Sequence, residues 1–269
     1  MKFKTFFAAM AVALTAPSFA AIAPGSTGNG ELFLVVQDSV AKVSYTLDLG
    51  LRMNDFYVDG QSDLGKSLSF DVAGDSSWAD FLGRSSAASR QWGVLAFGGG
   101  ANATARVLST VRAGVTENTM DNTTNTRLAT GGGDTLAGTF FSSVNSSGTH
   151  APAADFSVNG SSVIAEADFG KGYFGEAGGT SGTLNGNLTF SVLNAIGVSS
   201  SFYQLAGSSA APGGFIKLDK FNNAQKQASF AFDGSTLAYT LAPVPEPESY
   251  ALMLAGLAAL GLMIKRSRA

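Results

Sequence analysis

A run of strict alternation sets the strongest limit on how this chain folds. Val43, Tyr45, Leu47 and Leu49 interleave with Lys42, Ser44, Thr46 and Asp48. Successive side chains of an extended strand point to opposite faces, so this run gives one apolar and one polar face as a strand and neither as a helix. Leu68, Phe70 and Val72 repeat the pattern around Ser69 and Asp71. Phe230 and Phe232 lead into Asp233-Gly234, after which Leu237 and Tyr239 resume it. Asp-Gly, Asn-Gly and Gly-Gly pairs between such runs supply the positive-φ positions that tight hairpins require. Further strands are expected at residues 32–37, 91–97, 105–111, 162–167, 184–193, 201–205 and 215–218. About ten short strands predict a mainly β chain, an antiparallel β-sandwich or jelly-roll-like pair of sheets.

Two stretches read as helix. Ser77 can cap a turn that places Trp78, Phe81 and Leu82 on one face. After Asp134, Leu136, Phe140 and Val144 recur at spacings of four. Residues 116–133 and 145–155 are polar and glycine-rich, so surface loops are expected there. No internal repeat and no dividing linker is evident, and a single β-rich body is expected over residues 21–243.

The two ends differ from this body. Lys2 and Lys4 precede an apolar stretch from Thr5 to Ala16, and Ser18-Phe19-Ala20 puts small residues where a signal peptidase needs them. Residues 1–20 therefore read as a secretory signal peptide cut between Ala20 and Ala21. At the other end, residues 244–269 hold Pro245-Glu246-Pro247, an apolar stretch from Tyr250 to Ile264, and then Lys265, Arg266 and Arg268. The stretch would span roughly 22 Å as a helix, short against a hydrocarbon core of about 30 Å. The basic cluster stays on the cytoplasmic side by the positive-inside rule, which puts the body across the membrane. Pro243, Pro245 and Pro247 disfavour helix in the residues before them, which keeps this segment extended. An ordinary single-pass anchor is the alternative reading of the same residues.

This order of proline-acid knot, short apolar helix and basic end resembles the PEP-CTERM sorting tail of exported Gram-negative proteins. The resemblance implies an integral-membrane protease, an exosortase, that cuts near Pro245-Glu246-Pro247. It implies an inner-membrane anchor before the cut and a place at the cell surface or in the extracellular matrix after it. The body also resembles a subset of these proteins in four short segments: Trp78 to Leu82, Trp92-Gly93-Val94, Phe202 to Leu205 and Leu237 to Thr240. That second resemblance implies topology and no chemistry.

Charge narrows the partners. The ends carry five of 17 basic and two of 20 acidic residues, which leaves 12 and 18 in the body, a net charge of −6. An acidic body argues against nucleic acid as a partner. The charge is uneven, with nine acids from Glu31 to Asp80 and five arginines from Arg84 to Arg127. It reads either as solvated surface or as a basis for head-to-tail association or capture of a charged polymer. The chain has no cysteine, so the body folds on its core alone and lacks thiol chemistry.

No catalytic constellation stands out. A Ser-His-Asp hydrolase needs a histidine base. The one histidine, His150, sits in a glycine-proline segment and reads as a solvated loop residue. Residues 170–175 match Gly-x-Gly-x-x-Gly, but a dinucleotide turn must open a helix, and residues 176–182 are poor helix formers. Asp168-Phe169-Gly170 has no kinase context. Asp55, Asp59 and Asp63 could gather oxygens for calcium, although turns use Asp for their own reasons. No other cofactor is indicated. Paired carboxylates could hydrolyse a glycoside, but no pair is nominated. Trp78, Trp92, Tyr57, Tyr173 and Tyr203 could stack on sugars or simply fill the core. Asn102, Asn122, Asn145, Asn159 and Asn187 open Asn-x-Ser/Thr triplets, read here as solubilising surface. The leading expectation is a non-enzymatic structural or adhesion protein of the surface, matrix or biofilm. A lectin-like module for extracellular polysaccharide is the alternative, and a secreted hydrolase comes third.

Overall fold

The computed structural model describes residues 21–243, apart from 24, 26–27, 63–66, 133–138, 151–159 and 224–225. Two strands open the fold, β1 (Glu31–Asp38) and β2 (Val43–Arg52), joined by a turn in which Asp38 Oδ1 accepts from the Val40 and Ala41 N–H groups. Helix α1 (Met53–Ser62), β3 (Ser67–Asp71) and α2 (Ser76–Arg84) follow. Next come β4 (Arg90–Gly98), β5 (Arg106–Thr110), α3 (Glu117–Met120), α4 (Asn125–Gly132) and α5 (Phe141–Asn145). The remainder holds β6 (Ser161–Ala165), α6 (Glu166–Phe169), α7 (Phe174–Ala177), β7 (Asn194–Ala195) and β8 (Ser200–Ala206). It closes with β9 (Lys217–Lys220), β10 (Asn222–Asn223), β11 (Lys226–Phe232) and β12 (Thr236–Pro243).

All pairings are antiparallel, as the alternation predicted. The order is β3-β12-β11-β8-β5-β4-β1-β2-β6, with β7 on β4, β9 on β8 and β10 on β11. The sheet turns over at β8, whose first residues pair with β11 and whose last four pair with β9. Its two halves then face each other across an aromatic core. Trp78 of α2 touches Tyr45 of β2 and Phe232 of β11, with ring centroids 5.1 and 5.6 Å apart, although these strands are five places apart in the order. Phe56 of α1 meets Phe202, Phe221, Phe230 and Tyr239 in the same way. The result is sandwich-like, a continuous sheet folded around its own apolar face.

The four short segments singled out in the sequence all contribute here. Trp78 and Phe81, Trp92 and Val94, Phe202, and Leu237 and Tyr239 belong to this one core. Helix α2 forms where the serine-led segment predicted it. Its cap is Asp75, whose side chain accepts from the Ser77 N–H at 2.8 Å and from the Tyr45 hydroxyl at 2.7 Å.

The other face of β1, β4, β5 and β8 is buried too. Phe33, Val35, Leu95, Val107 and Leu205 pack under Phe140, Phe141, Val144, Phe174 and Phe190. Three sequence expectations change at this face. Residues 116–133 are not a loop but hold α3 and α4, and Met120, Leu128 and Ala129 drop into the core. Residues 184–193 are not a strand. Gly182, Leu184, Asn185 and Gly186 all have positive φ, which breaks an extended path. Side chains tie this segment down instead: Thr110 Oγ1 donates to Val192 O at 2.8 Å and Arg112 Nε donates to Leu193 O at 3.2 Å. Gly93 makes that approach possible, since a Cβ there would stand 2.9 Å from Val192 O. Helix α1 was not foreseen at all. Short helices are thus more numerous than the two expected, while the mainly β class holds.

Side chains fix the start of the body. Ile22 is fully buried, and its N–H and C=O both bond the Asn145 amide at 3.0 Å. Ala23 N–H donates to Glu31 Oε2 at 2.7 Å.

Candidate functional site

The sorting residues named above lie outside the described residues: Pro245, Glu246 and Pro247, the Tyr250–Ile264 stretch, and Lys265, Arg266 and Arg268. So does Ala20, whereas Ala21 is exposed one residue before the buried Ile22. Among the described residues no helix is long and apolar enough to cross a membrane.

Asp55 and Asp59 sit exposed, one turn apart, on α1, and Asp63 lies outside the described residues. Among the described residues no group of three His, Asp or Glu side chains is placed to hold a metal ion.

The charge asymmetry resolves into local chemistry. Asp38, Asp71 and Asp75 accept from backbone N–H groups at turns and a helix cap. Four of the five arginines donate to backbone carbonyls: Arg90 to Ser85, Arg106 to Gly28, Arg112 to Leu193 and Arg127 to Gly186. Arg84 instead joins α2 to α6, with Asp80 at 2.9 Å and Asp168 at 2.7 Å. These two carboxylates hold its guanidinium above its ordinary pKa.

His150 is not solvated. It ends a 3-10 turn (Gly148–His150) packed on β6 and is fully buried. The Gly-x-Gly-x-x-Gly run makes a 3-10 turn (Gly170–Gly172) and the four-residue α7, with none of the helix a dinucleotide turn needs. The aromatic residues considered for sugar stacking are mostly core: Trp78, Trp92, Tyr173 and Tyr203 are buried, and Tyr57 is half-buried with its hydroxyl on Asp219. Burial, with the Glu117 carboxylate beside it, pushes the Tyr203 hydroxyl up to about 12.

One open cleft gathers the groups a polar ligand would need. It has a volume of about 510 Å³ and lies between α2, the residues after α5, and α6. Ser76, Ser77 and Asp80 line one wall, Ser146, Ser147 and Gly148 the other, and Val163 and Phe169 add apolar surface. Phe169 is 41% exposed, a large apolar ring left in solvent beside four hydroxyls and a carboxylate. Ser161 Oγ donates to Ser77 Oγ at 3.1 Å from below. Sequence reasoning missed this cleft because Phe169 seemed part of a chance Asp-Phe-Gly run and the serines lay in segments of little pattern.

Fold and site together define a mainly β, antiparallel body with an open polar cleft, whose last strand runs straight into a sorting segment. Residues 243–268 match the PEP-CTERM protein-sorting motif. The chain is a PEP-CTERM-containing protein, and the motif implies export, sorting at the membrane and processing by an exosortase. No curated protein and no solved structure matches it. The motif begins on Pro243, the last residue of β12, so the described fold hands over to the sorting signal without a linker.

Proposed function

We propose that the body is a structural or adhesion element of the cell surface or extracellular matrix, delivered by a signal peptide and freed from its inner-membrane tail by an exosortase. The observation that carries this reading is the sorting motif beginning at the final residue of the folded body. The buried Ile22 supports cleavage after Ala20, since the fold takes up the chain two residues later. We read the body as non-enzymatic: the histidine is buried away from solvent, and Asp80, the carboxylate beside the cleft serines, is paired with Arg84. Deleting residues 21–243 while keeping both ends is expected to weaken surface attachment and biofilm. Unchanged attachment, biofilm and polymer composition would refute the role.

A second reading is favoured by the cleft. Serine hydroxyls, the Asp80 carboxylate and the exposed Phe169 ring match the polar edge and apolar face of a sugar residue. Polysaccharide is therefore the alternative ligand. A glycan array with the wild type and Phe169→Ala tests it: binding lost in the variant supports it, and no binding to any glycan removes it.

A further inference from the structure

The outer face of β2 and β6 carries a polar stripe that the cleft and the sorting signal leave unexplained. Thr46 and Asp48 are two apart on β2 and so share a face. Ser162 of β6 pairs directly with Thr46. All three side chains are fully buried. Thr46 Oγ1, Asp48 Oδ2 and Ser162 Oγ each lack a hydrogen-bond partner. Buried polar groups are normally satisfied, and an unpaired one costs free energy. Three neighbours in that condition mark a missing partner. The other Asp48 oxygen has its partner: Oδ1 accepts from Gly50 N–H at 2.8 Å, where Gly50 at φ +63° turns the chain beside a bulge.

Charge points the same way. Glu31 shares this face, is almost wholly buried, and meets Arg52 Nε at 3.1 Å. The buried His150 lies on a turn packed against β6.

We propose that Thr46 Oγ1, Asp48 Oδ2 and Ser162 Oγ bind a hard metal cation within the outer face of the sheet. Carboxylate and hydroxyl oxygens suit sodium or calcium rather than a thiolate- or imidazole-seeking metal. Sodium is the first probe and calcium the second. The site is separate from the exposed Asp55 and Asp59 of α1, and it does not depend on the role proposed for the body.

The test is thermal unfolding of the full chain in detergent at pH 8, first in choline chloride. Sodium chloride and calcium chloride then replace choline at constant ionic strength. At about a hundredfold excess over Kd, one of these ions raises the midpoint by about 5 °C or more. Asp55→Asn keeps it, Ser162→Ala reduces it and Asp48→Asn abolishes it. If Asp48→Asn fails to fold, Ser162→Ala alone decides. Equal midpoints in choline, sodium and calcium would overturn the proposal, as would a rise that Ser162→Ala leaves unchanged.

Discussion

The two faces of the central sheet are buried by different means. The inner face closes on itself: Trp78, Phe202, Phe230, Phe232 and Tyr239 come from strands and one helix that the alternation or helical spacing marks. The outer face is covered by α3, α4, α5, α7 and the irregular residues 178–193, which owe their positions to side-chain bonds. The inner face has no described unpaired polar stripe, whereas the outer one holds Thr46, Asp48 and Ser162. A closed aromatic core supplies stability in this chain, and a covered polar face supplies places where a proton or an ion can act.

Substitutions probe that contrast from opposite sides. Phe230→Ala is expected to cost about 3–5 kcal/mol, since the ring is fully buried against Phe56, Phe202 and Tyr239. Leu188→Ala, on the outer face, is expected to cost about 2–3 kcal/mol, because an irregular segment can settle into part of the space. Urea unfolding of the two variants compares them, and a larger loss for Leu188→Ala would reverse the assignment of the main core.

Asn145→Ala removes both bonds to Ile22 and is expected to cost about 1–3 kcal/mol. Amide exchange should quicken at Ile22 and Ala23 first. Unaltered exchange there would break the claim that Asn145 holds the start of the body.

Stability in choline should fall as pH rises from about 4 to about 7. Asp48 has a raised folded pKa, so the folded state holds its proton where the unfolded state has lost it. The slope reaches about 1.4 kcal/mol per pH unit at most for this single group. Asp48→Asn should flatten it, and an unchanged slope in that variant would assign the effect elsewhere. The smallest effect is expected for Arg84→Ala. Its ion pairs with Asp80 and Asp168 are solvent-exposed and are expected to contribute well under 1 kcal/mol.

The strands were legible because burying one face leaves a period of two in the sequence. Residues 43–49 show it plainly, and β2 forms there with Val43, Tyr45 and Leu47 inward. Helix α1 left a fainter trace, Met53, Phe56 and Gly60 at spacings of three and four, diluted by Asn54 and Asp55. Helix α4 was hidden by its polar residues. Asn125, which reads as a loop residue, is buried because its amide binds Ser208, Ser209 and Ala211 in a distant segment. The cleft and the polar stripe were illegible for the same reason: each gathers residues far apart in the chain. Only the topology brings Ser76 to Ser147, or Thr46 to Ser162. The sorting tail lay at the other extreme, since its elements follow one another in sequence and need no fold to be recognised.

The central claim is that a folded body, taken up at Ile22 and ended by β12, is exported and freed from both flanking segments. Intact-mass analysis of protein extracted from the cell surface tests it most directly. The account predicts a species that begins at Ala21 and lacks the apolar stretch and basic end of residues 250–269. A surface species whose mass runs through to Ala269 would contradict it.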